Sequence, residues 1–228
     1  VSGAENSAGR EADVLRRKAR GGPVRRLLAR VGVDTVDHAM MARADRYEHG
    51  GKAEQETLVM LQPLRGYGWQ ILPDRLLPDG RGKANLDGVL VTDGGIVVLD
   101  VKAWHRRRET TLANGRVFCG VEDRHVQVEK VAGYASRVAR LVGLPAEHVW
   151  PLLVVHGSQI AAPGFQSGRL EVRAPKWPGP VHVLGPAWLV PTLARAGAGR
   201  DPARAAALAR HVAGVLPPYP RRAYGGRA

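Results

Sequence analysis

Apolar and polar positions along this chain fall into two periods, and together they predict a mixed α/β core. From Lys52 to Leu64, Leu58, Leu61 and Leu64 recur at helical spacing after the punctuation of Gly50-Gly51, which predicts a helix. Gly66-Tyr67-Gly68 turns the chain into a strand over Trp69–Leu72, and the polar, Pro- and Gly-rich stretch Pro73–Lys83 reads as a loop. Asn85–Val91 and Ile96–Lys102 are apolar strands joined by the hairpin signal Asp93-Gly94-Gly95, so they should pair antiparallel. A second hairpin is expected from Thr110–Ala113 and Val117–Val121 around Asn114-Gly115. A helix from about Val126 to Val142, a buried strand Val149–His156 and a shorter strand Val181–Leu184 follow. Two Ala/Leu/Arg helices, Ala187–Ala196 and Asp201–Val215, close the core.

The flanks read differently. Glu11–Arg30 alternates charges with Val14, Leu15, Leu27 and Leu28 and breaks at Gly21-Gly22-Pro23, giving one or two amphipathic helices outside the main core. Pro217–Ala228 reads as a frayed basic tail. There is no internal repeat. The expected division is an N-terminal helical extension over 1–50, a central domain over 51–196, and a C-terminal helix with its tail over 197–228.

Composition narrows this picture only in part. A chain of 228 residues with 44% hydrophobic content can bury a substantial core. The formal net charge of +13 favours polyanionic partners, although an Arg-rich composition alone can produce it. One cysteine, Cys119, excludes an intrachain disulfide framework. No apolar run approaches the ~20 residues of a spanning helix, and the charged first twenty residues do not read as a signal peptide. A cytoplasmic protein with no membrane association is the expectation.

The candidate chemistry lies inside the apolar strands. Lys102 ends the run Gly95–Lys102 and is one of only six lysines. Side chains at i and i+2 of a strand share a face about 6–7 Å apart, so Asp100 and Lys102 should project together. Burying such charges is costly unless they are paired or bind a metal. Asp87 interrupts the neighbouring strand, and the turn between the two strands brings it near Asp100. Glu54, placed in the first turn of the preceding helix, could point back at the sheet. Carboxylates beside a lysine make a hard-oxygen site suited to Mg²⁺ or Mn²⁺, with the lysine able to orient the nucleophile or to stabilise a pentacovalent transition state.

An acid-x-Lys triplet alone is weak evidence; its strand, turn and helix context strengthens it. These residues resemble the PD-(D/E)xK nuclease superfamily and, within it, the nuclease-related domain NERD of actinobacterial type. The resemblance covers roughly Gly51 to Gly157. It rests on Gly51-Lys52-Ala53-Glu54, Gly68–Leu72 with Asp74-Arg75, Ala84-Asn85-Leu86-Asp87, Val98–Trp104, Gln127 and Leu153–Gly157. It implies a restriction-endonuclease-like mixed sheet flanked by helices. It also implies catalytic residues Glu54, Asp87, Asp100 and Lys102, with Gln127 as a secondary member and Glu54, Asp87 and Asp100 as ligands of Mg²⁺ or Mn²⁺. The chain departs from the family pattern at Gly88, where histidine is frequent, and at His105–Arg108, where a glycine is frequent.

The resulting expectation is a metal-dependent nuclease acting on nucleic acid, DNA ahead of RNA. The alternative is a nucleic-acid-binding or regulatory module that keeps the fold without efficient cleavage. Several residues carry two readings. Asp100 and Lys102 could be a structural ion pair. Glu56 could replace Glu54, although it turns away on the helix. Trp104 could stack on a base or pack in the core. Arg106, Arg107 and Arg108 could bind phosphates or line a solvated edge. The histidines lack zinc spacing, His156 reads as a capped core-edge residue, and Gly157-Ser158 lacks a nucleophile elbow.

Overall fold

A computed structural model describes residues 12–16, 38–78, 83–161, 168–196 and 201–220, with the backbone alone for 38–47 and 83. The chain divides into two compact units, Val1–Glu56 and Thr57–Ala228. In the first unit, residues 12–16 are helical and Arg16 pairs with Glu48. The rest of the amphipathic segment expected over Glu11–Arg30 lies outside the described residues.

Helix α1, His38–Leu61, runs straight through Gly50-Gly51, so the expected start at Lys52 is corrected. A helical glycine costs about 1 kcal/mol relative to alanine without stopping the helix. Glu54 therefore sits in the body of α1, not in its first turn. Beyond Leu61 a 3-10 turn, Gln62–Tyr67, carries Pro63, which lacks the N–H that α-helix needs. Gly68 stops it at φ 85°, with its N–H on the Leu64 and Arg65 carbonyls.

The second unit is an α/β fold built on a mixed six-stranded sheet. Its strands are β1 (Gln70–Pro78), β2 (Lys83–Thr92), β3 (Gly95–Ala103), β7 (Val149–His156), β8 (Arg169–Arg173) and β9 (Pro180–Leu184). Their order is β1-β2-β3-β7-β9-β8. The β3–β7 and β7–β9 pairs are parallel and the others antiparallel. A separate antiparallel sheet holds β4 (Thr110–Ala113), β5 (Arg116–Cys119) and β6 (Glu122–Asp123). Helix α2 (His125–Val142) packs on β3 and β7, and α4 (Pro202–Val215) packs on β1 and β2. Helix α3 (Pro186–Ala196) packs on β7 and the 3-10 turn.

The core lies between the sheet and α2 and α4. Val89, Val91, Ile96, Val98, Leu153 and Val155 face Val128, Val131, Ala135, Val138 and Val212, all almost inaccessible to solvent. The strands alternate as a period of two requires. Ser158 ties the small sheet to the end of β7. Its hydroxyl donates to the Arg108 carbonyl at 2.6 Å and meets Thr110 Oγ1 at 2.7 Å, with buried Cys119 beside it.

Two further expectations are corrected, and two short strands are added. Residues 73–78 are strand, because β1 keeps its register with β2 as far as Pro78↔Lys83; prolines are tolerated there since β1 edges the sheet. Strands β6 and β8, short and half-polar, carry too little apolar signal to be read from the chain. Residues 217–220 are not frayed. Leu76 N–H donates to the Pro217 carbonyl and Tyr219 N–H to the Asp74 carbonyl, both at 2.8 Å, so the segment lies along the outer edge of β1. The tail beyond Pro220 lies outside the described residues.

Candidate active site

The turn at Asp93–Gly94 sets the register of β2 on β3. Thr92↔Gly95 through Gly88↔Leu99 are paired, which places Asp87 across from Asp100 as the next pair. Cross-strand neighbours share a face of the sheet, and here it is the face of Val89 and Val98. The ladder of backbone pairs stops at Gly88. There the Asp87 side chain takes over: its Oδ2 accepts the Val101 N–H at 2.6 Å. Gly88 fits because a β-carbon would come within 3.3 Å of Leu99 Cδ2 on the adjoining strand.

Asp100 is only 3% exposed. Lys102 Nζ lies 2.5 Å from its Oδ2, and the same ammonium donates to the Val101 carbonyl at 3.0 Å. The Asp100 contact is an ion pair by distance, but its angles do not make it a hydrogen bond, and Oδ2 has no hydrogen-bond partner. The buried Asp100 carboxylate is thus held against the Lys102 ammonium.

Asp87 is half-buried as a residue, while its carboxylate is withdrawn from water. Burial raises its pKa first and the Asp100 charge raises it further, with Asp74 adding to the effect. Lys102 and the Val101 N–H oppose them, and the balance leaves the carboxyl up at about 7. Two carboxylates facing one another away from water resist both being ionised.

Around this trio, Trp104 continues the same face of β3. At 7% exposed it packs in the core, and its Nε1–H donates to Gln127 Oε1 at 2.9 Å near the start of α2. The Arg124 guanidinium lies 5.9 Å above the indole and also pairs with Glu122. Gln127 is thus tied to the strand that carries Asp100 and Lys102. His156 ends β7, its Nε2 2.7 Å from Thr57 Oγ1. Its carbonyl accepts the Trp104 N–H at 2.9 Å. Gly157 lies at φ +85°, where a β-carbon would fall 2.4 Å from the Trp104 carbonyl, so the exit of β3 is fastened to the exit of β7.

Glu54 is half-buried on α1, three residues before Thr57, in the N-terminal unit. Glu56 is exposed and pairs with Lys52 at 3.8 Å. Arg106 and Arg107 are exposed in the turn that follows Trp104, whereas Arg108 is committed to Glu122. Asp74 is the residue that the sequence reading passed over as a possible site member. It falls opposite Asp87 on β1, at φ 46°, and its Oδ1 accepts Asn85 Nδ2–H at 3.2 Å. The Pro73–Lys83 loop assignment hid it.

Among the described residues no group of three or more His, Cys, Asp or Glu is arranged to hold a metal ion. Asp87 and Asp100 form a pair, and a pair suits Mg²⁺, which takes one or two carboxylates and completes its shell with water and phosphate. The two carboxylates are donors whose chemistry fits such an ion, and Asp100 Oδ2 has the Lys102 ammonium as its partner 2.5 Å away. No described helix is long and apolar enough to cross a membrane.

Neither a curated protein nor a solved structure matches the chain. Residues 49–156, from α1 to the end of β7, match the family model of NERD, the nuclease-related domain.

Proposed function

We propose that the chain is a metal-dependent nuclease that hydrolyses phosphodiester bonds in nucleic acid, with DNA as the first substrate to test. The observation that carries the reading is the convergence of Asp87, Asp100 and Lys102 at the point where β2 leaves β3, within the stretch that matches the nuclease-related domain. Asp87 and Asp100 would hold Mg²⁺ or Mn²⁺. When bound, such an ion offsets phosphate charge and acidifies water. Asp100 keeps Lys102 in place. The ammonium then stabilises the charge that builds on the phosphate oxygens as water attacks, a preorganised electrostatic role. Trp104 and Gln127 brace the end of β3, and Arg106 and Arg107 supply exposed cations for the phosphate backbone.

A second reading, a nucleic-acid-binding module without efficient cleavage, is favoured by one observation. Both members of the acidic pair are engaged by the protein itself, Asp87 by Val101 N–H and Asp100 by Lys102. Fold alone does not decide between them. The deciding experiment incubates the full chain with single- and double-stranded DNA and RNA in Mg²⁺ or Mn²⁺. Cleavage that a chelator stops and added metal restores supports the nuclease. Salt-sensitive binding with no cleavage in any metal supports the module.

A further inference from the structure

We propose that Arg108 and Arg124 form a subsite for a backbone phosphate of the nucleic-acid substrate, and that Glu122 occupies this subsite until the substrate displaces it. The inference rests on the nucleic-acid reading above and extends it from the acidic pair to the small sheet.

Both arginines are placed before any ligand arrives. The Arg108 backbone is fixed by its carbonyl, which accepts the Ser158 hydroxyl at 2.6 Å. Its side chain lies over Gly120, where a β-carbon would come within 3.0 Å of Arg108 Cδ. Arg124 lies over Trp104, its guanidinium 5.9 Å from the ring centroid. Trp104 is itself held by Gln127 at 2.9 Å and follows Lys102 by two residues, on the same face. The pair of arginines is thus fastened beside the end of the strand that carries Asp100 and Lys102.

The two neighbouring acids differ in what they do. Asp123 is structural: its Oδ1 accepts the His125 N–H at 2.8 Å at the start of α2, and its Oδ2 accepts Arg116 Nε–H at 2.9 Å and Nη2–H at 2.7 Å. Glu122 is exposed, and among the described residues its carboxylate holds the two arginines alone. Its Oε1 accepts from Arg108 Nη1 and its Oε2 from Arg124 Nη2. Two guanidinium groups converging on one small anion form an arrangement that suits phosphate.

The fit to a carboxylate is incomplete. Nε and Nη2 lie on one edge of a guanidinium and together suit a bidentate oxyanion. Glu122 takes Nη2 alone, and Arg124 Nε is buried with no hydrogen-bond partner among the described residues. A buried donor left unpaired is costly, and a phosphate bridging both arginines would satisfy it. A site that must first shed its own carboxylate binds more weakly, in proportion to the fraction of time it is open.

The test is equilibrium binding of the full chain to fluorescein-labelled DNA and RNA, single- and double-stranded, at several salt concentrations with a chelator present to prevent cleavage. Glu122→Gln should tighten binding about threefold or more at low salt, the scale of releasing two exposed ion pairs. Glu109→Gln removes the same charge from an exposed position next to β4 and should do less. Arg124→Gln should weaken binding and lower the slope of log K against log salt by about 0.7–0.9. In its presence Glu122→Gln should bring little gain. Melting curves check that each variant folds, and Arg108→Gln, at the more exposed arginine, gives the same comparison if Arg124→Gln does not. Affinity of Glu122→Gln equal to wild type, or a gain matched by Glu109→Gln, overturns the inference and leaves the nucleic-acid reading standing. No binding of any of these nucleic acids by the wild-type chain overturns that reading, and the inference with it.

Discussion

The carboxylate of Asp87 accepts the backbone N–H of Val101 at 2.6 Å, replacing the strand pairing that ends one residue earlier at Gly88 and Leu99. One side chain thereby closes the ladder and fixes a carboxylate beside Asp100. Asp87→Asn should fold normally, since an amide oxygen can accept the same bond. Asp87→Ala should cost about 1–3 kcal/mol, the penalty of leaving a buried donor unsatisfied. Urea denaturation of the two variants checks this ordering, and a similar loss in both would contradict the backbone role.

The raised Asp87 pKa makes stability depend on pH in a stated direction. A carboxyl that ionises near 7 when folded and near 3.9 when unfolded is favoured by folding in its protonated form. Its contribution is complete below about pH 4 and is lost as pH rises toward about 7. Relative to wild type, metal-free Asp87→Asn should therefore gain stability between pH 5 and pH 8. Binding Mn²⁺ needs the ionised form, so the metal-induced rise in melting temperature should grow over the same interval in wild type. Melting temperatures that track one another at every pH would remove the shift.

Asp100→Asn separates a metal site from a structural ion pair by the sign of its effect. In a metal site the substitution removes a like charge from Asp87, so the metal-free protein should be equally or more stable. The stabilisation by Mn²⁺ should vanish, because only ligands that bind the native state stabilise by mass action. If Asp100 exists only to neutralise Lys102, the change leaves an uncompensated ammonium and should cost roughly 3–5 kcal/mol. Thermal melts with and without Mn²⁺ measure both effects.

Arg106 and Arg107, exposed just past Trp104, should contact phosphates. Replacing both with alanine should weaken binding to all sequences alike and reduce the slope of log K against log salt by roughly 1.4–1.8, at about 0.7–0.9 per contact. A fluorescence titration at several salt concentrations reads the slope. An unchanged slope would make this turn a solvated edge.

Much of this organisation is legible in the chain. The Asp93-Gly94-Gly95 turn between two apolar runs places Asp87 near Asp100, and the i, i+2 spacing places Lys102 beside it. Trp104 reads as a core residue, and it is buried. What escapes is whatever depends on partners distant in sequence. The second half of the first strand looks like a loop because Pro73 and Pro78 carry loop signals, and only pairing with β2 makes it a strand. The start of α1 was hidden by two glycines that a long helix absorbs. The bond from Asp87 to Val101 cannot be read from spacing, since it exists only because β2 and β3 separate at that residue. Asp74 was missed for the same reason, lying in a segment whose strand character comes from its neighbours.

In the proposed reaction Lys102 acts on the reacting phosphate and is not merely a counter-ion to Asp100. The most direct measurement is the single-turnover rate of DNA cleavage in saturating Mn²⁺ for wild type and Lys102→Ala, with DNA affinity measured on the same samples. The rate should fall about 10²–10³-fold, the usual loss when one transition-state stabiliser is removed, while affinity changes little. Cleavage by Lys102→Ala at the wild-type rate would contradict the account.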